Sequence, residues 1–78
     1  MLEALVALAV KPTMTADFKK NLVMMRGVKE ILYVTGEYDF LIRMEAQNTF
    51  ELSRLIEELR GQEGVEKTVT FIVLEKLR

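Results

Sequence analysis

The chain contains neither cysteine nor histidine among its 78 residues. Without cysteine, both a disulfide framework and a thiolate metal site are excluded. Without histidine, the commonest general base and metal ligand is missing. Catalytic arrangements of the Ser-His-Asp or Cys-His kind are therefore impossible. We expect a protein that is not an enzyme, with no catalytic residues, no metal site and no cofactor.

An excess of charge of either sign is also missing. Eleven lysines and arginines face twelve aspartates and glutamates, and the net charge is −1. This balance gives no overall attraction to phosphate backbones or to anionic lipids. The apolar stretch Leu2–Val10 stops before the sole proline, Pro12, and is far shorter than the roughly 20 residues of a membrane-spanning helix. We expect a soluble, cytoplasmic protein that binds neither membranes nor nucleic acid directly.

The length predicts one domain over residues 1–78, because a single core becomes marginal near this size. Half of the residues are hydrophobic and only 29% are charged. A small chain of this composition has more apolar surface than one core can bury. We therefore expect it to hide part of that surface against another copy of itself.

Hydrophobic periodicity predicts four strands, at residues 2–10, 28–34, 38–46 and 68–74. A helix with the apolar stripe Phe18, Leu22 and Met25 follows the first strand, with Thr13 or Thr15 as its N-cap and Gly27 at its end. Asn48 and Glu51 have the spacing of a capping box and predict a second helix that ends at Gly61. The predicted order is β-α-β-β-α-β.

The two halves of the chain resemble each other at a constant offset of 37 residues, which relates Gly27-Val28 to Gly64-Val65. Two similar βαβ units predict a ferredoxin-like α+β fold: a four-stranded antiparallel sheet with both helices on one face. In this arrangement we expect the fourth strand to pair with the second. Both faces of the first and fourth strands are apolar, so we expect two sheets to pack face to face in a homodimer.

The corner Thr35-Gly36-Glu37-Tyr38-Asp39 joins the second and third strands and carries the best candidate site. Gly36 leaves backbone N–H groups open to an anion, and Asp39 offers a carboxylate to an ammonium group. Thr68 and Thr70 present two hydroxyl groups on one face of the fourth strand. Together these groups suit the head group of an α-amino acid. A neighbouring subunit would then complete the site, since we do not expect the third and fourth strands to pair.

Each of these residues also has a purely structural interpretation. Gly36 is suited to a hairpin turn, Asp39 to the start of a strand, and the two threonines are common strand residues. On chemistry alone the corner is therefore either a ligand site or a plain hairpin turn.

The segments GVKEILYVTGEYDFLIRM and GVEKTVTFIVLEKL closely resemble the effector-binding domain of leucine-responsive/AsnC-type (Lrp/AsnC) transcription regulators. The signature parts are Gly27-Val28, the corner Thr35-Gly36 with Tyr38-Asp39, and Gly64-Val65 followed by Thr68 and Thr70. The resemblance covers essentially the whole chain. The sequence lacks the helix-turn-helix that usually precedes this domain, so we expect a stand-alone version of the domain.

This resemblance implies face-to-face dimers that assemble into larger rings, commonly octamers, with free amino acids bound between dimers. Gly36 and Tyr38 would shape the pocket, Asp39 would hold the amino group, and Thr68 and Thr70 would line it from an adjacent protomer. The implied function is amino-acid binding and oligomerisation, with full-length Lrp/AsnC regulators as possible partners in mixed assemblies.

Two alternatives stay open at this point. One is a small dimeric α+β-barrel enzyme of the monooxygenase or isomerase kind, which shares the fold and would need a polar catalytic group enclosed within each protomer. The other is a purely structural assembly module whose corner binds nothing. Fold alone does not separate these functions.

Overall fold

A computed structural model describes residues 1–13 and 16–78 of the chain. The elements follow the predicted order β-α-β-β-α-β. Strands β1 to β4 span Leu2–Val10, Val28–Tyr33, Phe40–Ala46 and Val65–Ile72, and helices α1 and α2 span Ala16–Met24 and Thr49–Arg60. In the part of the chain that the structure describes, no helix has the length and apolar character needed to cross a membrane.

Four strand boundaries differ from the prediction. Strand β2 ends one residue earlier, and β3 begins at Phe40, which leaves Tyr38 and Asp39 in the corner between them. Strand β4 begins at Val65 because Val65 pairs with Val10 beyond a bulge in the β1–β4 ladder. Its regular part ends at Ile72, although the Val73 N–H still donates to the Glu3 carbonyl oxygen.

The strand order is β2-β3-β1-β4 and all three pairings are antiparallel. The prediction that the fourth strand pairs with the second is therefore wrong, because β4 pairs with β1 and β2 pairs with β3. The connection from β1 to β2 passes over β3, and the connection from β3 to β4 passes over β1. The two βαβ units interleave, and β2 and β4 become the opposite edges of the sheet.

The core lies between the sheet and the two helices. On β1 and β3, Val6 lies opposite Ile42 and Leu8 lies opposite Phe40, and all four side chains are buried. The predicted stripe Phe18, Leu22 and Met25 covers them from α1 and the residue that follows it, and all three side chains are buried. Leu52, Leu55 and Leu59 cover them from α2 and are also buried. Every buried side chain among the described residues is apolar. Of the two candidate N-caps of α1, Thr15 lies outside the described residues.

Within residues 1–13 and 16–78, no helix packs on the other face of the sheet, and this face is also apolar, as predicted. We call it the open face and define its apolar part by Leu5, Leu32, Leu41 and Phe71, which line one shallow depression. Their side chains are between 43% and 57% exposed. The fold therefore leaves large hydrophobic side chains in contact with water in a single copy of the chain.

One end of the open face is charged. The Arg43 Nη1 atom lies 3.0 Å from Glu3 Oε2 and 3.1 Å from Glu45 Oε2, and Arg43 Nε lies 3.6 Å from Glu30 Oε1. The hydrogen bond to Glu3 is the main cause that raises the pKa of the Arg43 guanidinium above its ordinary value. Arg43 is therefore a permanent cation surrounded by three carboxylates.

Candidate ligand-binding site

A backbone hydrogen bond holds the corner between β2 and β3 together, and a glycine within the corner leaves its backbone exposed. The Val34 N–H donates to the Asp39 carbonyl oxygen at 2.8 Å. Gly36 has a φ of 136°, and a Cβ atom added there would meet nothing within 4 Å. Gly36 is thus required by the backbone conformation and leaves the peptide groups around it accessible from solvent.

Asp39 ties this corner to the end of β1. Its backbone N–H donates to the Leu8 carbonyl oxygen at 2.8 Å, and its carboxylate Oδ2 accepts from the Val10 N–H at 2.8 Å. Among the described residues, the second carboxylate oxygen, Oδ1, accepts no hydrogen bond. Asp39 therefore has a structural role and also retains a carboxylate oxygen that an ammonium group can reach.

Tyr38 contacts a lysine that the sequence did not point to. The Lys67 Nζ atom lies 5.4 Å from the centroid of the Tyr38 ring, a cation–π distance. Lys67 reaches the corner because β4 pairs with β1, where Lys67 lies opposite Ala9. Only a correct prediction of the strand order could have placed Lys67 beside this corner. The corner thus combines a carboxylate, open backbone amides and an ammonium group.

The two threonines lie elsewhere in the protomer. Thr68 lies opposite Leu8 and Thr70 lies opposite Val6, so both project to the helix face of the sheet, as predicted for a same-face pair. They line a cleft of about 600 Å³ together with Ile56 and Arg60 of α2. Arg60 is a second polar residue that sequence reasoning missed.

Strand β1 separates the corner from this cleft. Asp39 precedes β3 and the threonines are on β4, and neighbouring strands lie about 4.8 Å apart, so the two positions are about 10 Å apart across the sheet. One protomer therefore brings Gly36, Tyr38 and Asp39 together but does not bring Thr68 and Thr70 to them.

A family model, the Lrp/AsnC ligand binding domain, matches residues 3–78. The chain belongs to this family. Among solved structures, FFRP-DM1 is 27% identical, with a TM-score of 0.88 over 95% of this chain and 100% of that one. The transcriptional regulator NMB0573 from Neisseria meningitidis, in complex with L-methionine, is 21% identical with a TM-score of 0.90. The match covers 99% of this chain and 52% of the regulator, and at this identity it shows the fold alone.

A curated relative is an enzyme. The homocitrate synthase of Sulfolobus acidocaldarius is 35% identical over 63 residues, which cover 81% of this chain. The match spans only 14% of the enzyme, about one seventh of its length. This Lrp/AsnC ligand-binding domain is thus similar to the whole of FFRP-DM1, to about half of a transcriptional regulator and to a small part of a biosynthetic enzyme.

Proposed function

We propose that this Lrp/AsnC domain binds a free amino acid and that binding changes its assembly with other copies. The observation that carries the proposal is the family match over residues 3–78. The corner geometry and the L-methionine complex of the Neisseria regulator support the chemical class of the ligand. Regulation would follow because a ligand favours whichever assembly completes its site.

In the proposed complex the Asp39 Oδ1 atom accepts from the ligand ammonium group. Oδ2 remains bonded to the Val10 N–H, which holds the carboxylate in place. The amides beside Gly36 face the ligand carboxylate, and Tyr38 forms a wall of the pocket. A preformed carboxylate limits the entropy lost on binding.

Thr68 and Thr70 join this site from an adjacent protomer in our proposal. The separation of about 10 Å across the sheet supports this, since it exceeds what the head group of one amino acid can bridge. The expected assembly is a face-to-face homodimer that forms larger rings, with the octamer as the expected size. The protein would act in the cytoplasm by forming mixed assemblies with full-length Lrp/AsnC regulators.

A second candidate function is allosteric control of a biosynthetic enzyme. The observation that favours this function is the 35% identity with a homocitrate synthase. The matching part is only 14% of the length of that enzyme. In that role the domain would bind the same class of ligand but would bias an enzyme. The α+β-barrel enzyme is not favoured, because the buried side chains between sheet and helices are all apolar in the described part of the chain.

The first experiment is a thermal-shift screen of the twenty amino acids, read together with light scattering. A ligand at about 100 times its Kd adds about 2.7 kcal/mol to the free energy of unfolding, which corresponds to a rise in Tm on the order of 10–20 °C for a domain of this size. We expect one or a few amino acids to raise Tm in a concentration-dependent manner. No shift at millimolar concentrations would contradict amino-acid binding.

The Asp39→Asn variant then tests the site by calorimetry. Asparagine keeps an acceptor for the Val10 N–H but removes the charge that pairs with the ammonium group. We expect the affinity to fall on the order of tenfold or more, as for a lost charged hydrogen bond. The matched control is Glu37→Gln, which removes a neighbouring exposed carboxylate. Equal affinities of Asp39→Asn and the unmodified chain would rule out this assignment.

A further inference from the structure

Asp39 and Lys67 lie on opposite sides of Ala9, at the end of the sheet where β1 stops. The Asp39 backbone N–H donates to the Leu8 carbonyl oxygen, and its Oδ2 atom accepts from the Val10 N–H. Asp39 therefore adjoins Ala9, the residue between these two partners. Lys67 of β4 lies opposite Ala9 from the other side of β1. One protomer thus places a carboxylate and an ammonium group on either side of an alanine.

The Lys67 ammonium group has no carboxylate partner in the described part of the chain. Its Nζ atom lies 5.4 Å from the centroid of the Tyr38 ring, and Lys67 forms no ion pair with a described carboxylate. Arg43, by contrast, is already surrounded by three carboxylates. A cation–π contact at an exposed site is weak, so the Lys67 ammonium group can exchange the ring for an anion at small cost.

The gap between these two charged groups has the size of an amino-acid head group. The backbones of Asp39 and Lys67 are two strand spacings apart, about 10 Å. A ligand whose ammonium and carboxylate groups each form a charge-assisted hydrogen bond of about 2.8 Å fits a gap of that order. Ala9 carries only a methyl group, which leaves room above it. The long side chain of Lys67 also lets its charge approach from β4, which the short side chains of Thr68 and Thr70 cannot do.

We infer that Lys67 binds the α-carboxylate of the same amino acid whose ammonium group Asp39 binds, with the ligand lying over Ala9. This inference rests on the amino-acid binding proposed above. The Asp39 Oδ1 atom accepts no hydrogen bond among the described residues, so it and the Lys67 ammonium group are complementary to the two charges of a zwitterion. The contact adds to the amides beside Gly36, because both oxygen atoms of a carboxylate accept hydrogen bonds.

This contact narrows the class of ligand. A free amino acid carries both charges, whereas an α-amide, an ester or a residue within a peptide lacks the anionic carboxylate. With such a derivative the Lys67 ammonium group would face a neutral group and lose its charged partner. The site therefore selects free α-amino acids over amines and over derivatives that are blocked at the carboxyl group.

Paired binding of amino acids and their α-amides tests the contact. The probes are the twenty amino acids and the corresponding α-amides, screened by thermal shift. Each amino acid that raises Tm is then titrated by calorimetry together with its amide, and we expect the amide to bind the unmodified chain more weakly. In Lys67→Met, which keeps an unbranched side chain but removes its charge, the ratio of the two affinities should fall on the order of tenfold, as for a lost charged hydrogen bond.

Lys76→Met is the matched control, because Lys76 lies at the opposite end of the open face, in a cleft with Glu3. An affinity ratio unchanged by Lys67→Met would overturn the contact and leave amino-acid binding in place. An equal fall of the ratio in Lys76→Met would also contradict it, since net charge alone would then explain the preference. No response to any amino acid would remove the proposed function together with this inference.

A larger side chain at Ala9 supplies the second measurement. We expect Ala9→Leu to lower the affinity for the same amino acid on the order of tenfold or more, because the added atoms occupy the place of the ligand. Val69→Leu enlarges a side chain further along the same face, opposite Ala7, and should leave the affinity unchanged. Full affinity in a folded Ala9→Leu variant, or equal losses in both variants, would show that the ligand does not lie over Ala9.

Discussion

At the scale of single residues, two glycines related by the internal repeat occupy similar backbone conformations in different surroundings. Gly27 has a φ of 86° and Gly64 a φ of 98°, which agrees with their correspondence at an offset of 37 residues. A Cβ atom on Gly27 would lie 2.7 Å from Leu55 Cδ1 and 3.2 Å from the Glu45 carbonyl oxygen. A Cβ atom on Gly64 would meet nothing within 4 Å.

We therefore expect Gly27→Ala to destabilise the fold more than Gly64→Ala. Both variants incur backbone strain of about 1–3 kcal/mol, and only Gly27→Ala adds an overpacking cost of about 1–3 kcal/mol. Urea unfolding of the two variants gives the difference. Equal losses of stability would mean that Leu55 and the Glu45 carbonyl move aside without cost.

At the scale of elements, α2 begins with the N-cap residue that the sequence predicted, Asn48. Asn48 Oδ1 accepts from the Glu51 N–H at 2.8 Å, and the Glu51 carboxylate accepts from the Gln47 N–H at 2.9 Å. The reciprocal bond thus reaches one residue further back than in the usual capping box, which uses the N–H of the cap itself. At the other end of α2, the C-cap residue Gly61 has a φ of −78°, a value that any residue adopts.

The two ends of α2 should therefore respond differently to alanine. We expect Asn48→Ala to lower the free energy of unfolding by about 1 kcal/mol, because the Glu51 N–H loses its acceptor. Gly61→Ala should change it by less than about 0.5 kcal/mol, since the backbone is already right-handed there. Thermal unfolding followed by circular dichroism measures both, and a larger loss from Gly61→Ala would contradict the capping argument.

At the scale of the whole molecule, the sheet has one face covered by helices and one face open to water. Phe71 lies on the open face opposite Leu5, and it is 57% exposed. Its neighbour Ile72 lies opposite Ala4 on the helix face and is 44% exposed. These adjacent residues have similar exposure in a single copy but belong to opposite surfaces.

An aspartate introduced at each position tests which surface of the sheet takes part in the proposed self-association. In sedimentation velocity, we expect Phe71→Asp to convert the proposed dimer to monomers, because a carboxylate buried in the proposed interface would lose its hydration. Ile72→Asp should leave the dimer intact in the same sedimentation experiment. Equal yields of monomer from both variants would show that association is not confined to the open face.

Local patterns in the sequence determined the order of the elements, the faces of the strands and the cap of α2. Alternation at Phe40, Ile42 and Met44 and the stripe Leu52, Leu55 and Leu59 depend only on the period of a strand or a helix. The candidate corner was also identified locally, because Gly36 and Asp39 belong to one short loop. These predictions needed no information about distant contacts.

The tertiary structure decided what depends on strand order. It paired β4 with β1, which placed Thr68 and Thr70 beside α2 and away from Asp39, and brought Lys67 to Tyr38. It also gave the Asp39 carboxylate a hydrogen-bond donor, the Val10 N–H, 29 residues away in sequence. The sequence alone did not determine these contacts, because side-chain periodicity selects a face of a strand but not its neighbour.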